Sequence, residues 1–223
     1  MKRYIMSILS VLLFTGAYSQ VGLYLGIRGG AGAMLTQNQV SNLATPEGFD
    51  NVFSRNSAWS GHAKGEALLG LWRFRLGYQF LYNFSGPSLV SVPPNAEISP
   101  AANTTYFNNS QTHIFGQYFL AEVVLVKTRH FNLVPGVAVG SYTGFKVDNN
   151  TGEQVSLSAT TDRRFSIGAE LNAEIVYGRC TFLIGPNYYL FGYRDKFNHN
   201  WREYQHFIGA DLGFRVNLIK PKK

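Results

Sequence analysis

The stretch RRFSIGAELNAEIVYGR, residues 163–179, alternates between two kinds of side chain. From Phe165 to Tyr177 every second residue is apolar, whereas the row between carries two carboxylates, Glu170 and Glu174. A period of two places successive side chains on opposite faces of an extended chain. The stretch therefore predicts a β-strand with one apolar face and one face that holds acidic groups.

The same alternation predicts seven further strands. It is clearest in WRFRLGYQFLYNFS, residues 72–85. Gln117 falls in the apolar row of the fourth strand. The sequence is therefore compatible with either a regular register or a β-bulge in that strand. Pro186 blurs the pattern of the seventh strand. The eight predicted strands are residues 21–35, 57–71, 72–85, 111–126, 131–145, 163–179, 181–193 and 204–218.

The connections between these strands alternate in length. Residues 36–56, 86–110, 146–162 and 194–203 form longer connections, and short links separate them. Outer-membrane barrels have short periplasmic turns, long outer loops and an even number of strands. The pattern predicts an all-β fold, an eight-stranded antiparallel transmembrane β-barrel with both termini in the periplasm.

Composition and charge exclude several classes of protein. Charged residues make up 15% of the chain, aromatic residues another 15%, and Cys180 is the single cysteine. One cysteine builds neither a disulfide framework nor a Cys-based zinc site. Of the formal net charge of +7, two charges are Lys2 and Arg3 and three lie in residues 220–223, which leaves +2 for the rest. The remaining cations are dispersed, so no nucleic-acid partner is predicted.

The first residues have the features of an export signal. Lys2 and Arg3 precede an apolar run at residues 5–14, and the Ala-Tyr-Ser sequence at 17–19 fits a small-x-small cleavage site. The run is shorter than the ~20 residues of a spanning helix. We therefore expect a signal peptide at 1–19, a barrel at 20–219 in the cell outer membrane, and a basic periplasmic tail at 220–223.

A soluble sandwich or a lipocalin-like barrel would show the same alternation with the faces reversed. Two features favour a membrane barrel. The apolar rows are long enough for the ~9–11 residues of a tilted spanning strand. Aromatic residues also lie near the strand ends, as in the two interfacial girdles of such barrels. The predicted interfacial aromatics are Trp59, Trp72, Phe74, Tyr82, Tyr177, Phe182, Tyr193 and Trp201.

An eight-stranded barrel has an interior that side chains fill, so inward charges are expected to pair. The inward rows carry five cations and five anions, with His62 as an additional titratable group. We expect Glu170 and Glu174 to reach across the lumen to Arg73, Arg75 or Arg215, and Arg28 to meet Asp211. The alternative is a water-filled lumen with solvated charges. The predicted lumen network is Arg28, Lys64, Glu66, Arg73, Arg75, Glu122, Glu170, Glu174, Asp211 and Arg215.

Three segments resemble a known family. The cleavage region AYSQ, the Gly-rich first strand GLYLGIRGGAGAML and the closing strand HFIGADLGFRVNLI are similar to outer membrane β-barrel domain proteins of Bacteroidota. More loosely they resemble barrels of the OmpA, OmpX and OmpW type. The resemblance covers the mature chain and implies a small outer-membrane barrel. The expected partners are outer-membrane lipid and lipopolysaccharide, periplasmic chaperones, the barrel-assembly machinery and a larger outer-membrane complex.

Reactive residues near the predicted outer rim suggest one enzymatic alternative, a barrel that modifies lipid. The candidates are Ser110, His113 and His199 or His206, and a separate metal-site candidate consists of His199, His206 and Asp195. Catalysis needs a nucleophile and a base within hydrogen-bond reach, and no spacing here enforces that. We therefore predict no enzyme, no cofactor and no metal site. The predicted role is structural or interactive (adhesion or partner binding), and the alternative is a porin-like, narrow channel for small solutes.

Overall fold

The computed structural model describes residues 21–40, 52–92, 104–156, 161–195 and 201–219. Within these ranges no helix is long and apolar enough to span a bilayer. The predicted signal peptide and basic tail lie outside them. The strands are β1 (Val21–Val40), β2 (Val52–Leu71), β3 (Phe74–Ser85), β4 (Ser88–Val92), β5 (Thr104–Asn108), β6 (Ser110–Val123), β7 (Val126–Lys127), β8 (Phe131–Asp148), β9 (Gln154–Ser156), β10 (Thr161–Tyr177), β11 (Cys180–Asp195) and β12 (Trp201–Asn217).

The eight long strands close into one barrel. They follow the order β1, β12, β11, β10, β8, β6, β3, β2, and β1 also pairs with β2. All of these pairings are antiparallel. In the register of β1, Leu25 lies opposite Val216 on one side and Ala67 on the other. The predicted eight-stranded antiparallel barrel is confirmed.

Two of the predicted long connections contain strands. Between β3 and β6, β4 pairs with β2 and β5 pairs with β4, and after β8 the short β9 folds back onto it. The prediction treated both segments as loops, residues 86–110 because of their Pro, Asn and Ser content and residues 146–162 because they are polar. The sequence SLVSV of β4 has the β-branched, alternating character of a strand, and it extends the barrel wall on this side.

Polar and apolar side chains are distributed over the two faces of the barrel wall in the reverse of the order found in a soluble protein. On β3 the inward side chains of Arg75 and Gln79 are 6% and 0% exposed, whereas the outward side chains of Leu76 and Phe80 are 43% and 56% exposed. Large apolar side chains on the outside and buried polar ones on the inside are the arrangement of a barrel that meets lipid.

Strand β6 is regular. Its pairing with β3 runs without a shift from Thr112 opposite Ser85 to Val123 opposite Phe74. The bulge alternative for this strand is therefore wrong, and Gln117 stays on the exposed outer face. In β11, Pro186 also lies on the exposed face, where its missing N–H does not interrupt the alternation.

One inward glycine permits close approach of two strands. A Cβ added at Gly140 on β8 would lie 1.9 Å from the carbonyl oxygen of Gln117 on β6. We expect Gly140→Ala to lower the free energy of unfolding by about 1–3 kcal/mol through overpacking, measured by urea titration in lipid vesicles. Gly29→Ala is the control, since its Cβ would approach only the His62 carbonyl oxygen, at 3.5 Å. Equal losses in both variants would contradict this explanation.

Candidate functional site: the closed lumen

Alternate residues of β1, β2, β3, β6, β10 and β12 bring nine charged side chains into the barrel interior. Each of these residues is at most 6% exposed. We call this set the ionic layer. Its members are Arg28, Lys64, Glu66, Arg75, Glu122, Glu170, Glu174, Asp211 and Arg215.

Arg215 is the centre of the half of the ionic layer near the short turns. Its Nη1 and Nη2 donate to the two carboxylate oxygens of Glu122, at 2.9 and 2.5 Å. Nη1 also donates to Glu174 at 2.9 Å, and Nε donates to Glu66. The residue is 0% exposed. One guanidinium thus holds carboxylates from three strands, using the fork geometry that suits arginine to this role.

Arg75 completes this half. Its Nη2 donates to Glu174 at 2.9 Å, and Nη1 makes a second contact with the same carboxylate. The amide of Asn132 donates to Glu174 at 2.9 Å. Glu174 therefore lies between two arginines and an amide, and its partners agree with the pairing that the sequence predicted for it.

A second set of contacts crosses the lumen around Glu170. Arg28 Nη1 lies 2.7 Å from one oxygen of Glu170, and Lys64 Nζ donates to the other at 2.9 Å. Arg28 and Lys64 also contact Asp211, at 3.3 and 2.6 Å. The expected contact between Arg28 and Asp211 is thus present. Glu170 meets neither Arg75 nor Arg215 among the ion pairs of the described residues, because its partners come from β1 and β2.

The prediction that Arg73 faces the lumen is wrong. The tight turn between β2 and β3 takes up Trp72 and Arg73, and Trp72 has a φ of 57°. Arg73 is exposed there, and its Nη1 donates to the Leu125 carbonyl at 3.4 Å. The sequence pattern continued the strand through both residues, but the reversal of the chain breaks the alternation.

Without Arg73, the ionic layer holds four cations and five carboxylates in the described part of the chain. His62 lies next to this layer, 5% exposed, with its Nε2 in contact with Asp211. Its ring also packs edge-on against Phe207, with centroids 4.9 Å apart. His62 therefore joins the charged groups to the apolar residues beyond them.

Neutral polar side chains on the inward rows complete the network, and the sequence analysis gave them no role. The Tyr189 hydroxyl lies within hydrogen-bond reach of the Gln79 amide oxygen, at 2.7 Å, and of Glu170, and it donates its single proton to one of the two. Gln79 donates to Glu170 at 3.0 Å, and Asn172 accepts from Arg28 at 3.2 Å. These residues occupy the same alternate positions as the inward charges, and this pattern in the sequence could have identified them as lumen residues.

A second layer fills the lumen on the side of the long connections. It consists of buried apolar and aromatic side chains, each at most 5% exposed. Tyr118 packs edge-on against Tyr189 at 5.4 Å, and Tyr142 packs against Phe191 at 5.3 Å. We call this set the apolar layer: Met34, Leu81, Ile114, Tyr118, Tyr142, Tyr189, Phe191 and Phe207.

The two layers are contiguous. Lys64 Nζ lies 4.7 Å from the Tyr189 ring centroid, and the hydroxyl of the same tyrosine contacts Glu170. The interior is thus packed by charged pairs toward the short turns and by rings toward the long connections. Among the described residues, this packing is that of a narrow barrel whose interior is filled by side chains.

The predicted interfacial aromatics with described side chains all lie outside the barrel. Trp59 is 60% exposed and packs edge-on against Phe84 at 5.2 Å. Tyr177, beside a short turn, is 80% exposed. The others are Trp72, Phe74, Tyr82 and Phe182. The side chains of Tyr193 and Trp201 lie outside the described part.

The enzymatic candidates whose side chains the structure describes do not converge. Ser110 and His113 lie on β6 and His206 lies on β12, and three strands separate β6 from β12 in either direction round the barrel. His113 pairs with the Tyr82 hydroxyl at 2.8 Å, and His206 pairs with the Tyr188 hydroxyl at 2.8 Å. His199 and the Asp195 side chain lie outside the described part. No group of three or more potential metal ligands occurs among the described residues.

No protein-family model matches the sequence, and no curated protein matches it. Similar solved structures include Neisserial surface protein A, at 11% identity over 89% of this chain and 99% of that chain, with a TM-score of 0.49. The outer membrane protease OmpT from Escherichia coli shows 9% identity over 88% and 97%, with a TM-score of 0.47. Ail, the attachment invasion locus protein of Yersinia pestis, shows 9% identity over 87% and 99%, with a TM-score of 0.35.

Proposed function

We propose that this protein is an integral outer-membrane β-barrel with a sealed lumen, and that its role is structural or interactive rather than conductive. The observation that carries the proposal is the closed interior, in which Arg215 is 0% exposed and holds three carboxylates. A rigid wall that presents long connections at one end suits adhesion or partner binding, because binding residues commonly lie on loops held by a rigid scaffold.

The surface of the barrel supports a membrane location. Outward residues such as Leu212, Ile184 and Val139 are 67%, 53% and 55% exposed. Water would penalise this much exposed apolar side chain, whereas lipid accommodates it. The partners we propose are outer-membrane lipid and lipopolysaccharide, with periplasmic chaperones and the barrel-assembly machinery during insertion, and a larger outer-membrane complex. The resemblance to OmpA-, OmpX- and OmpW-type barrels of Bacteroidota stays a prediction from the sequence.

Recording in a planar bilayer tests the sealed lumen. We expect the refolded wild-type barrel to show no single-channel conductance, because the two layers fill its cross-section. Insertion is verified by the shift in gel mobility between heated and unheated protein. Steady, ion-selective conductance of inserted wild-type protein would contradict the proposal and support the channel alternative.

A further inference from the structure

One amide faces outward in the middle of the apolar wall. Gln117 is exposed on the outer face of β6. The other outward residues between His113 and Val123 are apolar: Phe115, Phe119 and Ala121. Its cross-strand neighbours are Phe80 on β3 and Ser141 on β8, and Ser141 is also exposed. Gln117 and Ser141 thus form a polar pair beside outward apolar residues of β3 and β6, and Thr143 is the next outward residue on β8.

The register gives the depth of this pair. Gln117 is four residues from His113, which pairs with the aromatic Tyr82, and six residues from Val123 at the short-turn end. At ~3.3 Å per residue and a tilt of ~40°, these separations correspond to about 10 and 15 Å along the barrel axis. The amide therefore lies within the ~25 Å apolar band of such a barrel, below the aromatic side chains of the outer rim.

An amide at that depth gains from a hydrogen-bond partner that lipid chains do not provide. Among the residues that the structure describes, none forms a hydrogen bond with the Gln117 side chain. The nearby Thr143 hydroxyl accepts from Arg164 at 3.1 Å. The Gln117 amide is therefore available to a partner from outside the described part of the barrel.

The surface around Gln117 combines a hollow with a ridge. Ala63 and Gly65 on β2 carry only a methyl group and a hydrogen atom as side chains, and a Cβ added at Gly65 would meet nothing within 4 Å. Phe80 and Phe115 stand beside them, 56% and 45% exposed. An open groove of about 430 Å³ lies here, and its lining includes Ala63, Gly65, Phe80, Tyr82, Phe115 and Gln117.

We propose that this face binds a second copy of the chain within the membrane. A primary amide carries both donors and an acceptor, so two Gln117 side chains related by a two-fold axis satisfy each other. A two-fold interface joins the same patch of both subunits. An axis at Gln117 places the β3 side of one barrel, with Phe80, against the β8 side of the other, with Ser141. Small residues that let two walls approach, together with a polar group, are the elements of association in lipid.

Energy transfer between labelled barrels in lipid vesicles measures this association. Cys180 is exposed and is the single cysteine, so it accepts donor and acceptor dyes without further changes. We expect the efficiency of energy transfer to fall when the protein is diluted with lipid. Gln117→Leu should lower the association constant by roughly threefold to twentyfold, the range of single hydrogen bonds in membranes. The control is Ala210→Leu on β12, the strand across the barrel from β6. Ala210 is also exposed, and this change should leave association unaltered.

Spin labels locate the interface. In a Cys180→Ser background, labels at Ala121→Cys on β6 should give a short distance between copies, and labels at Ala210→Cys a long one. Monomers at every lipid ratio, a shorter distance from Ala210 than from Ala121, or unchanged association of Gln117→Leu would each overturn the proposal. Heat-dependent gel mobility and absence of conductance, measured on the same variants, show that the barrel itself is intact.

Discussion

Arg215→Met should lower the free energy of unfolding by about 3–5 kcal/mol, the usual cost of removing one partner from a buried ion pair. Methionine approximates the length and volume of the side chain, so the lost charge dominates over the cavity. Among the ion pairs of the described residues, the change leaves Glu122 the 3.4 Å contact to Arg75 and leaves Glu66 its contact to Arg28. We expect incomplete refolding into vesicles and a lower urea midpoint.

Arg73→Met is the matched control for this measurement. It removes the same kind of charge, but from the exposed turn between β2 and β3, where exposed charges contribute at most ~1 kcal/mol. Equal losses of stability in the two variants would show that the ionic layer is solvated. That result would support the water-filled lumen as the alternative to the packed one.

The fold could be predicted from the sequence because strand alternation is a local property. The parity of residues 163–179 places Glu170 inside and Leu171 outside, and the structure has the same assignment, with 4% and 42% exposure. Alternation gives the wrong face for a residue where the chain reverses direction, as it does for Arg73. The sequence predicted a tight link here, but the alternation was extended through Arg73, which lies in the turn itself.

The partners inside the lumen depend on distances across the barrel, which no single strand encodes. The sequence predicted partners for Glu170 on β3 and β12, whereas the structure brings Arg28 and Lys64 to it from β1 and β2. The apolar layer was also missed. Phe191 and Phe207 lie on inward rows, but the sequence analysis examined those rows for charge and gave their aromatic residues no role.

The apolar layer changes what is expected of variants that lack lumen carboxylates. Glu170→Ala with Glu174→Ala removes two anions from the ionic layer, yet the rings on the side of the long connections still close the lumen. We expect this variant to remain silent in a planar bilayer. Phe191→Ala with Phe207→Ala opens the apolar layer alone, and it should also remain silent because the charged pairs persist.

All four substitutions together should produce single-channel conductance, because neither layer then spans the cross-section. The current should favour anions, since four cations of the ionic layer would face three carboxylates. Lys64→Ala and Arg75→Ala with the same two Phe substitutions should favour cations, which provides a control of opposite sign. Each variant is tested for heat-dependent gel mobility before recording, because truncating buried Phe costs about 3–5 kcal/mol per side chain. Conductance from the carboxylate variant alone would show that the ionic layer by itself seals the barrel.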